Sequence, residues 1–312
     1  MFKSVVTVSF LLFSFLCHAQ EDSVHLFSYF KNNGEDGLHL AYSYDGYKWT
    51  ALKNDSSFLK PMLAKDKLMR DPCIVRDADG LFHMVWTVSW NDKGIGYASS
   101  KDLIHWSEQK FIPVMQHEDS ARNCWAPEIT YDAKNKQYMI YWATTIAGKY
   151  KMDTIVENGY NHRLYYCLTK DFKNFSKTKL LYDKGFNVID ATIVSNGKNY
   201  IMFLKDETRI PAQKNIRIAT SNKINEGYSS PSEPITGKYW AEGPTTLRNG
   251  NQWTIYFDKY RDHMYGAVTS LDLVDWTDVS DKIEMPKGIR HGSVFRLSKD
   301  EFIKLLLQLQ PY

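Results

Sequence analysis

Four short segments of this chain each place a carboxylate at the start of an apolar, strand-like run: Arg70-Asp71-Pro72, Trp125-Ala126-Pro127-Glu128, Ile189-Asp190-Ala191-Thr192 and Ala241-Glu242-Gly243-Pro244. A fifth, Arg290-His291-Gly292-Ser293, does the same with a histidine. Most of the runs lead into an Asp, Asn or Gly turn, such as Asp77-Ala78-Asp79-Gly80 or Asn249-Gly250-Asn251, which reads as a hairpin. An aromatic strand follows, as in Tyr138-Met139-Ile140-Tyr141-Trp142, and then a third strand with a recurring tail, as in Ser100-Lys101-Asp102-Leu103-Ile104-His105-Trp106 and Ser270-Leu271-Asp272-Leu273-Val274-Asp275-Trp276. Four-stranded units at a period of roughly 40–60 residues are the signature of a β-propeller. A ring of such units, with the motifs in the same register in each, gathers the acidic residues around one axis.

The chain does not begin at a blade boundary. Residues 24–50 carry an aromatic strand, a third strand and a tail, but no inner strand before them; 290–297 is an inner strand with only a helical pattern after it. Joining the two ends gives one shared blade. The fold class is therefore all-β, a five-bladed β-propeller closed by pairing of the N- and C-terminal segments. The tail after Leu297 reads as a short amphipathic packing helix opened by a capping box from Ser298 to Glu301.

The 312 residues leave no room for a second domain beside such an array, and a 14% aromatic content suits strands. The first 19 residues, with Lys3, an apolar stretch to Leu16 and Cys17-His18-Ala19, read as a secretory signal peptide cleaved after Ala19, leaving 20–312 as a single catalytic propeller. This places the protein outside the cell or in the periplasm; a surface lipoprotein acylated at Cys17 is the alternative, disfavoured by Leu16. The apolar stretch is short for a membrane span. Cys73, Cys124 and Cys167 permit at most one disulfide and match no zinc spacing, so buried inert thiols are expected. A net charge of +3, or +2 without Lys3, and the lack of a basic run argue against nucleic acid as partner.

In a propeller the inner strand runs away from the face on which it starts, and the loop between the second and third strands returns to that face. Asp71, Glu128, Asp190, Glu242 and His291 then share one mouth with Trp90, Trp125, Trp240, Lys205, Arg261 and Arg290. Converging carboxylates between aromatic walls suit a sugar. Glycoside cleavage needs two carboxyls in opposite protonation states, and a third nearby raises the acid's pKa by repulsion.

The order of the five motifs, with Glu242-Gly243-Pro244 as the most specific, resembles glycoside hydrolase family 43, the five-bladed arabinosidases, xylosidases and arabinanases. The resemblance covers nearly all of the chain after Ala19. It implies that Asp71 is the general base, Glu242 the general acid, and Asp190 the carboxylate that raises and orients the acid. Trp90, Trp125, Glu128, Arg290 and His291 are the implied substrate contacts. The anomeric centre is inverted without a covalent intermediate, the two principal carboxyls standing about 6.5–9.5 Å apart. No cofactor is required; a calcium or sodium ion near His291 is an optional axial occupant in the family. The chain departs from the pattern in carrying Glu128 where Asp is common and Ala191 where Pro is frequent, which bears on substrate more than on fold. Asp36, Asp206 and Asp258 are further acidic residues near the mouth.

The expected substrate is an oligo- or polysaccharide with arabinofuranosyl or xylosyl linkages, cleaved from one end by a monomer. The loop 144–161, with Tyr150 and Tyr160, is the candidate for closing that end. Two readings compete with this one. A retaining invertase-like propeller shares Arg70-Asp71-Pro72 but needs nucleophile and acid motifs that this chain lacks. A non-catalytic glycan-binding propeller need not keep Asp71, Asp190 and Glu242 together.

Overall fold

The computed structural model describes residues 23–151 and 157–310. The proposed leader lies outside them. Strands β1 (Ser23–Tyr29), β2 (His39–Ser43) and β3 (Thr50–Ala51) are followed by β4 (Arg70–Arg76), β5 (Phe82–Thr87), β6 (Ile95–Ser100) and β7 (Lys110–Ile112). Next come β8 (Trp125–Asp132), β9 (Gln137–Thr144), β10 (Arg163–Thr169) and β11 (Lys179–Tyr182), then β12 (Val188–Ser195), β13 (Tyr200–Asp206) and β14 (Asn215–Ser221). The chain ends with β15 (Glu242–Asn249), β16 (Gln252–Lys259), β17 (Met264–Ser270), β18 (Thr277–Asp278), β19 (Ser293–Ser298) and the helix α1 (Lys299–Leu309).

These strands form five sheets in a propeller arrangement, and the closing sheet has the order β19-β1-β2-β3. The two ends of the chain pair antiparallel from Ser23 opposite Ser298 to Ser28 opposite Ser293, as the motif count requires. Five apolar clusters fill the spaces between neighbouring blades. This explains why the second strands are apolar throughout rather than alternating. On β9, Tyr138, Ile140 and Trp142 face one neighbouring blade, while Met139, Tyr141 and Ala143 face the other. Both faces of such a strand are covered, so both must be apolar.

The recurring tails are one turn repeated. Asp45, Asp102, Asp171 and Asp272 each accept two backbone N–H groups, and the Ser or Thr two residues earlier accepts another. One blade departs from the expected four strands. β12-β13-β14 has no fourth, because the edge segment 227–237 contains Pro231 and Pro234, which have no N–H for a ladder. The segment still follows β14. Ser229, Ser232 and Ile235 donate to the carbonyls of Thr220, Ile218 and Ile216, and hydroxyls of Ser229, Ser232 and Thr236 accept the N–H groups of the same three β14 residues.

Helix α1 starts with the expected capping box between Ser298 and Glu301, and it buries Phe302 and Leu305 against the closing blade. Cys73, Cys124 and Cys167 are buried and free. No helix among the described residues is long and apolar enough to cross a membrane.

Closure of the ring leaves no space at Gly292, where a Cβ would stand 1.7 Å from the Ser28 carbonyl oxygen. Gly292→Ala must push β19 away from β1 and should cost about 1–3 kcal/mol or more in urea unfolding. Leu271→Ala, at a side chain 72% exposed on a blade tail, should stay within about 0.5 kcal/mol. Equal stability of the two variants would show that the terminal pairing does not close the ring.

Candidate active site

One extra residue at the top of each of four inner strands decides where the carboxylates stand. β4 pairs Arg70 with Thr87 and then Cys73 with Val85, so three steps on one strand match two on the other. The same bulge recurs between β8 and β9, β12 and β13, and β15 and β16. The second residue of each bulge is left-handed: Asp71, Ala126, Asp190 and Gly243, with φ of 53°, 46°, 50° and 61°. The expected common register of the acidic motifs is therefore corrected. Asp71 and Asp190 are the bulge residues themselves, Glu242 precedes its bulge residue, and Glu128 lies two positions beyond.

That offset separates Glu128 from the others. Asp71, Asp190, Glu242, Arg290, His291, Trp90 and Trp125 all line one cavity of ≈ 430 Å³, together with Lys205, Trp240 and Arg261. Glu128, expected among the substrate contacts, is not in its wall. It has returned to the regular strand below the bulge, where it is buried and accepts a hydrogen bond from the Tyr141 hydroxyl at 3.1 Å. Burial pushes its carboxyl up to about 7, against the pull of Thr192, His291 and Tyr141.

Asp71 accepts from the Thr87 hydroxyl at 2.8 Å, and its other oxygen lies 3.3 Å from His291 Nδ1. Burial raises this carboxyl, but the bond and charge of His291, the charge of Arg70 and the Thr87 hydroxyl outweigh it and hold it down to about 2. His291 answers in kind. Burial lowers the imidazole, yet Asp71, Asp190 and Glu128 together lift it to about 9, so it is a cation at neutral pH. Its ring lies against Gly243, where a Cβ would come within 2.3 Å of the imidazole Cγ. This gives a physical reason for glycine at that bulge.

Glu242 carries two cations: Lys205 at 3.0 Å on one oxygen and Arg290 at 3.1 Å on the other. Burial raises it, but Lys205 and Arg290 outweigh burial and lower it overall. Arg290 also binds Asp258, and Lys205 also binds Glu207 at 2.7 Å. Asp190 accepts the Gly243 N–H at 3.1 Å. Burial, Glu242 and Asp71 push Asp190 up to about 6 against His291 and Lys205. Asp258 is likewise pushed up to about 6, by burial and Glu242. Repulsion among these carboxyls is present as expected, but it raises Asp190 and Asp258 rather than Glu242.

The aromatic wall is braced. Trp90 meets Trp125 edge-on at 5.4 Å, the Trp125 indole N–H donates to the Trp90 carbonyl, and Arg70 lies between the Trp90 and Phe30 rings. Of the further acidic residues near the mouth, Asp258 joins the cluster through Arg290. Asp36 pairs with His39 and Asp206 with Arg217. Glu207, Lys214, Tyr260, Thr87 and Asn33 line the cavity and were not among the sequence candidates. Thr87 faces Arg70 across the top of a hairpin, so register gives it away. Glu207 and Lys214 sit outside the inner-strand motifs and have no such signal.

His291 directs Nδ1 at Asp71, and with its imidazole lifted to about 9 by the surrounding carboxylates it is the positive group at this position in the metal-free protein. Among the described residues no group of three or more His, Cys, Asp or Glu side chains is arranged as metal ligands.

In fold, the chain is similar to a thermostable family-43 glycoside hydrolase, with a TM-score of 0.57 and 17% identity over 74% of this chain and 80% of that one. It is also similar to an alpha-L-arabinofuranosidase from Lactobacillus brevis, with a TM-score of 0.53 and 20% identity over 68% and 72%. In sequence it is 28% identical over 116 residues to an alpha-L-arabinofuranosidase of Bifidobacterium longum subsp. longum, across 35% of this chain and 11% of that protein. The chain therefore spans about a tenth of the length of that curated relative. Residues 22–302 match the family model Glyco_hydro_43_rel, described as a probable glycosyl hydrolase domain, and the chain belongs to that family.

Proposed function

We propose that the protein is an inverting O-glycosyl hydrolase, with Asp71 as general base, Glu242 as general acid and Asp190 as the carboxylate that governs the acid's proton. The observation that carries this is the opposed charge state of the two sides of one cavity. Asp71 is held ionised at about 2 beside His291, ready to take a proton from water. Across the cavity, Glu242 pairs with Lys205 and Arg290, Glu207 with Lys205 and Lys214, and Asp258 with Arg290, while Asp190 and Asp258 are pushed up to about 6. Below about pH 6 a proton in the free site rests on the raised carboxyls, Asp190 and Asp258, and not on Glu242. A sugar hydroxyl that engages Arg290 or Lys205 weakens their hold on Glu242 and lets the proton pass to it, next to the glycosidic oxygen.

The substrate reading is a plant-type glycan with terminal arabinofuranosyl or xylosyl groups. It is supported by the family and by the arabinofuranosidase names among the similar proteins. Exo action, secretion through the leader, a monomeric state and independence from metal belong to the same proposal. Release of 4-nitrophenol from a panel of pentosides and hexosides, with linear arabinan and xylan alongside, tests it. Inactivity across the panel and both polymers would favour a glycan-binding propeller.

A general acid matters most for a poor leaving group. Glu242→Gln should therefore cripple cleavage of natural glycans while sparing activated aryl glycosides, and equal losses on both would remove Glu242 from that role.

The base has no substitute in the leaving group. Asp71→Asn should cost on the order of 10²-fold or more in kcat/KM on every substrate. Azide rescue giving product of inverted configuration fits the assignment, whereas a trapped glycosyl-enzyme in the wild type overturns inversion.

The acid-side carboxyls titrate as a set. With Asp190 and Asp258 at about 6, the alkaline limb of kcat/KM against pH should lie near that value, and the acid limb, reporting Asp71, near about 2. Asp190→Asn removes one negative charge, so the remaining carboxyls lose their proton more easily and the alkaline limb moves to lower pH. An unmoved limb with full activity on a natural glycan would make Asp190 structural.

A further inference from the structure

Most cations of the cavity wall are engaged by the protein's own carboxylates. Lys205 is shared by Glu242 and Glu207, Lys214 pairs with Glu207, Arg290 with Glu242 and Asp258, and His291 with Asp71. Arg70 lies between the Phe30 and Trp90 rings, donates to the Asn33 side chain at 3.0 Å and helps to hold Asp71 ionised. Arg261 is different. It lines the same cavity, yet its guanidinium makes neither an ion pair nor a hydrogen bond among the described residues, and no step of the mechanism uses it.

The chain around Arg261 holds it in place. It stands in the short turn between β16 and β17, closed by the Asp262 N–H on the Lys259 carbonyl at 2.8 Å and by the ion pair of Lys259 with Asp262 at 3.4 Å. The guanidinium lies over the Trp240 ring, 4.7 Å from its centroid. Trp240 also meets the Tyr260 ring at 5.9 Å and the Lys214 ammonium at 5.5 Å, and the Ala241 N–H that follows it donates to the Lys214 carbonyl at 2.9 Å. An arginine resting on an indole is preorganised, and the ring contact leaves its N–H donors without an oxygen acceptor. Those donors form a planar fork that matches the two oxygens of a carboxylate, whereas a neutral sugar hydroxyl offers a single oxygen. Trp240 stands two residues before Glu242, so the fork belongs to the wall that carries the proposed general acid.

We propose that Arg261, laid on Trp240, selects an anionic glycan, one that includes a uronic acid whose carboxylate accepts from the guanidinium fork. The substrate class is thereby narrowed from neutral pentose-containing glycans to acidic ones. Arg261 is a specificity determinant in this reading and takes no part in proton transfer. The inference rests on the glycosidase reading for the use made of the cavity, but charge-selective binding is measured without cleavage.

The test is calorimetric binding of glucuronic-acid-bearing oligosaccharides of xylan and of arabinogalactan, each beside the same compound with its carboxyl reduced to a primary alcohol, to the intact protein, Arg261→Gln and Arg261→Lys. Reduction removes the charge and leaves the rings and their other hydroxyls. For at least one pair the wild type should prefer the acidic form about tenfold or more. That preference should shrink between about 0.01 and 1 M NaCl, as the Debye length falls from about 30 to 3 Å. Arg261→Gln should bring the ratio close to one, and Arg261→Lys, which keeps the charge without the fork, should leave an intermediate ratio. The side chain is exposed, so both variants should fold, which thermal melting reports. A ratio near one for every pair in the wild type, no binding of any acidic member, or a preference that survives Arg261→Gln overturns the assignment. Hydrolysis separates the two readings: a charge preference lost in Arg261→Gln without cleavage of any glycan sinks the glycosidase and leaves the anion selection standing, whereas cleavage of 4-nitrophenyl pentosides by a protein indifferent to the carboxylate does the reverse.

Discussion

The six residue pairs between β1 and β19 hold more than the ring. Arg290 and His291 lie immediately before β19, and the Arg290 N–H donates to the Phe30 carbonyl just after β1. Closure is what brings His291 to Asp71 and Arg290 to Glu242 and Asp258. Asp71 is a strong anion in a buried place because a cation from the last inner strand stands against it. An unclosed ring would leave that carboxylate buried and unpaired, which is far costlier than the pair itself. Side chains then tie the inner strands to one another. Ser28 and Ser293 bond to Pro72, Thr87 takes the Ala126 N–H, Thr130 donates to Ile193, Asp190 takes the Gly243 N–H, and Thr245 takes the Val294 N–H.

Two of those ties run through residues of the cavity itself. Thr87 bonds both Asp71 and the neighbouring inner strand, and Asp190 joins two inner strands at the bulges. The left-handed conformations of Asp71, Ala126 and Asp190 each cost about 1–3 kcal/mol, which the surrounding ladder must sustain. Asp tolerates that conformation better than most residues. Ala126 has no such advantage, and its N–H is held by Thr87. Strain at this level is common where a side chain must be aimed rather than merely packed.

The blades, their number and the joining of the chain ends were legible because two-sided burial writes apolar aromatic strands and because the Ser-x-Asp and Thr-x-Asp tails repeat. The bulges were not read, although a signal existed. Pro72, Pro127 and Pro244 each follow the left-handed residue, and proline inside a central strand is tolerated at a bulge because the N–H there has no ladder partner. Taken at face value, those prolines separate Glu128 from Asp71 before any coordinates are known. The missing fourth strand beside β14 was equally marked by Pro231 and Pro234. Other features had no local signature. Glu207 and Lys214 matter only through what stands opposite them, and that is set by loops rather than by strand pattern.

Charge bookkeeping connects the two sides of the cavity. His291 serves Asp71 first, and only weaker attraction reaches Asp190 and Glu242. Lys205 is shared between Glu242 and Glu207, which Lys214 also pairs, and Arg290 is shared between Glu242 and Asp258. A buried group left with an uncompensated negative charge keeps its proton. The raised pKa of Asp190 and Asp258 thus comes from burial and from the repulsion of Glu242, against the pull of the neighbouring cations. Under the proposed mechanism, a sugar hydroxyl that engages Arg290 or Lys205 would weaken their hold on Glu242, and so a neutral sugar would redistribute protonation without carrying any charge of its own.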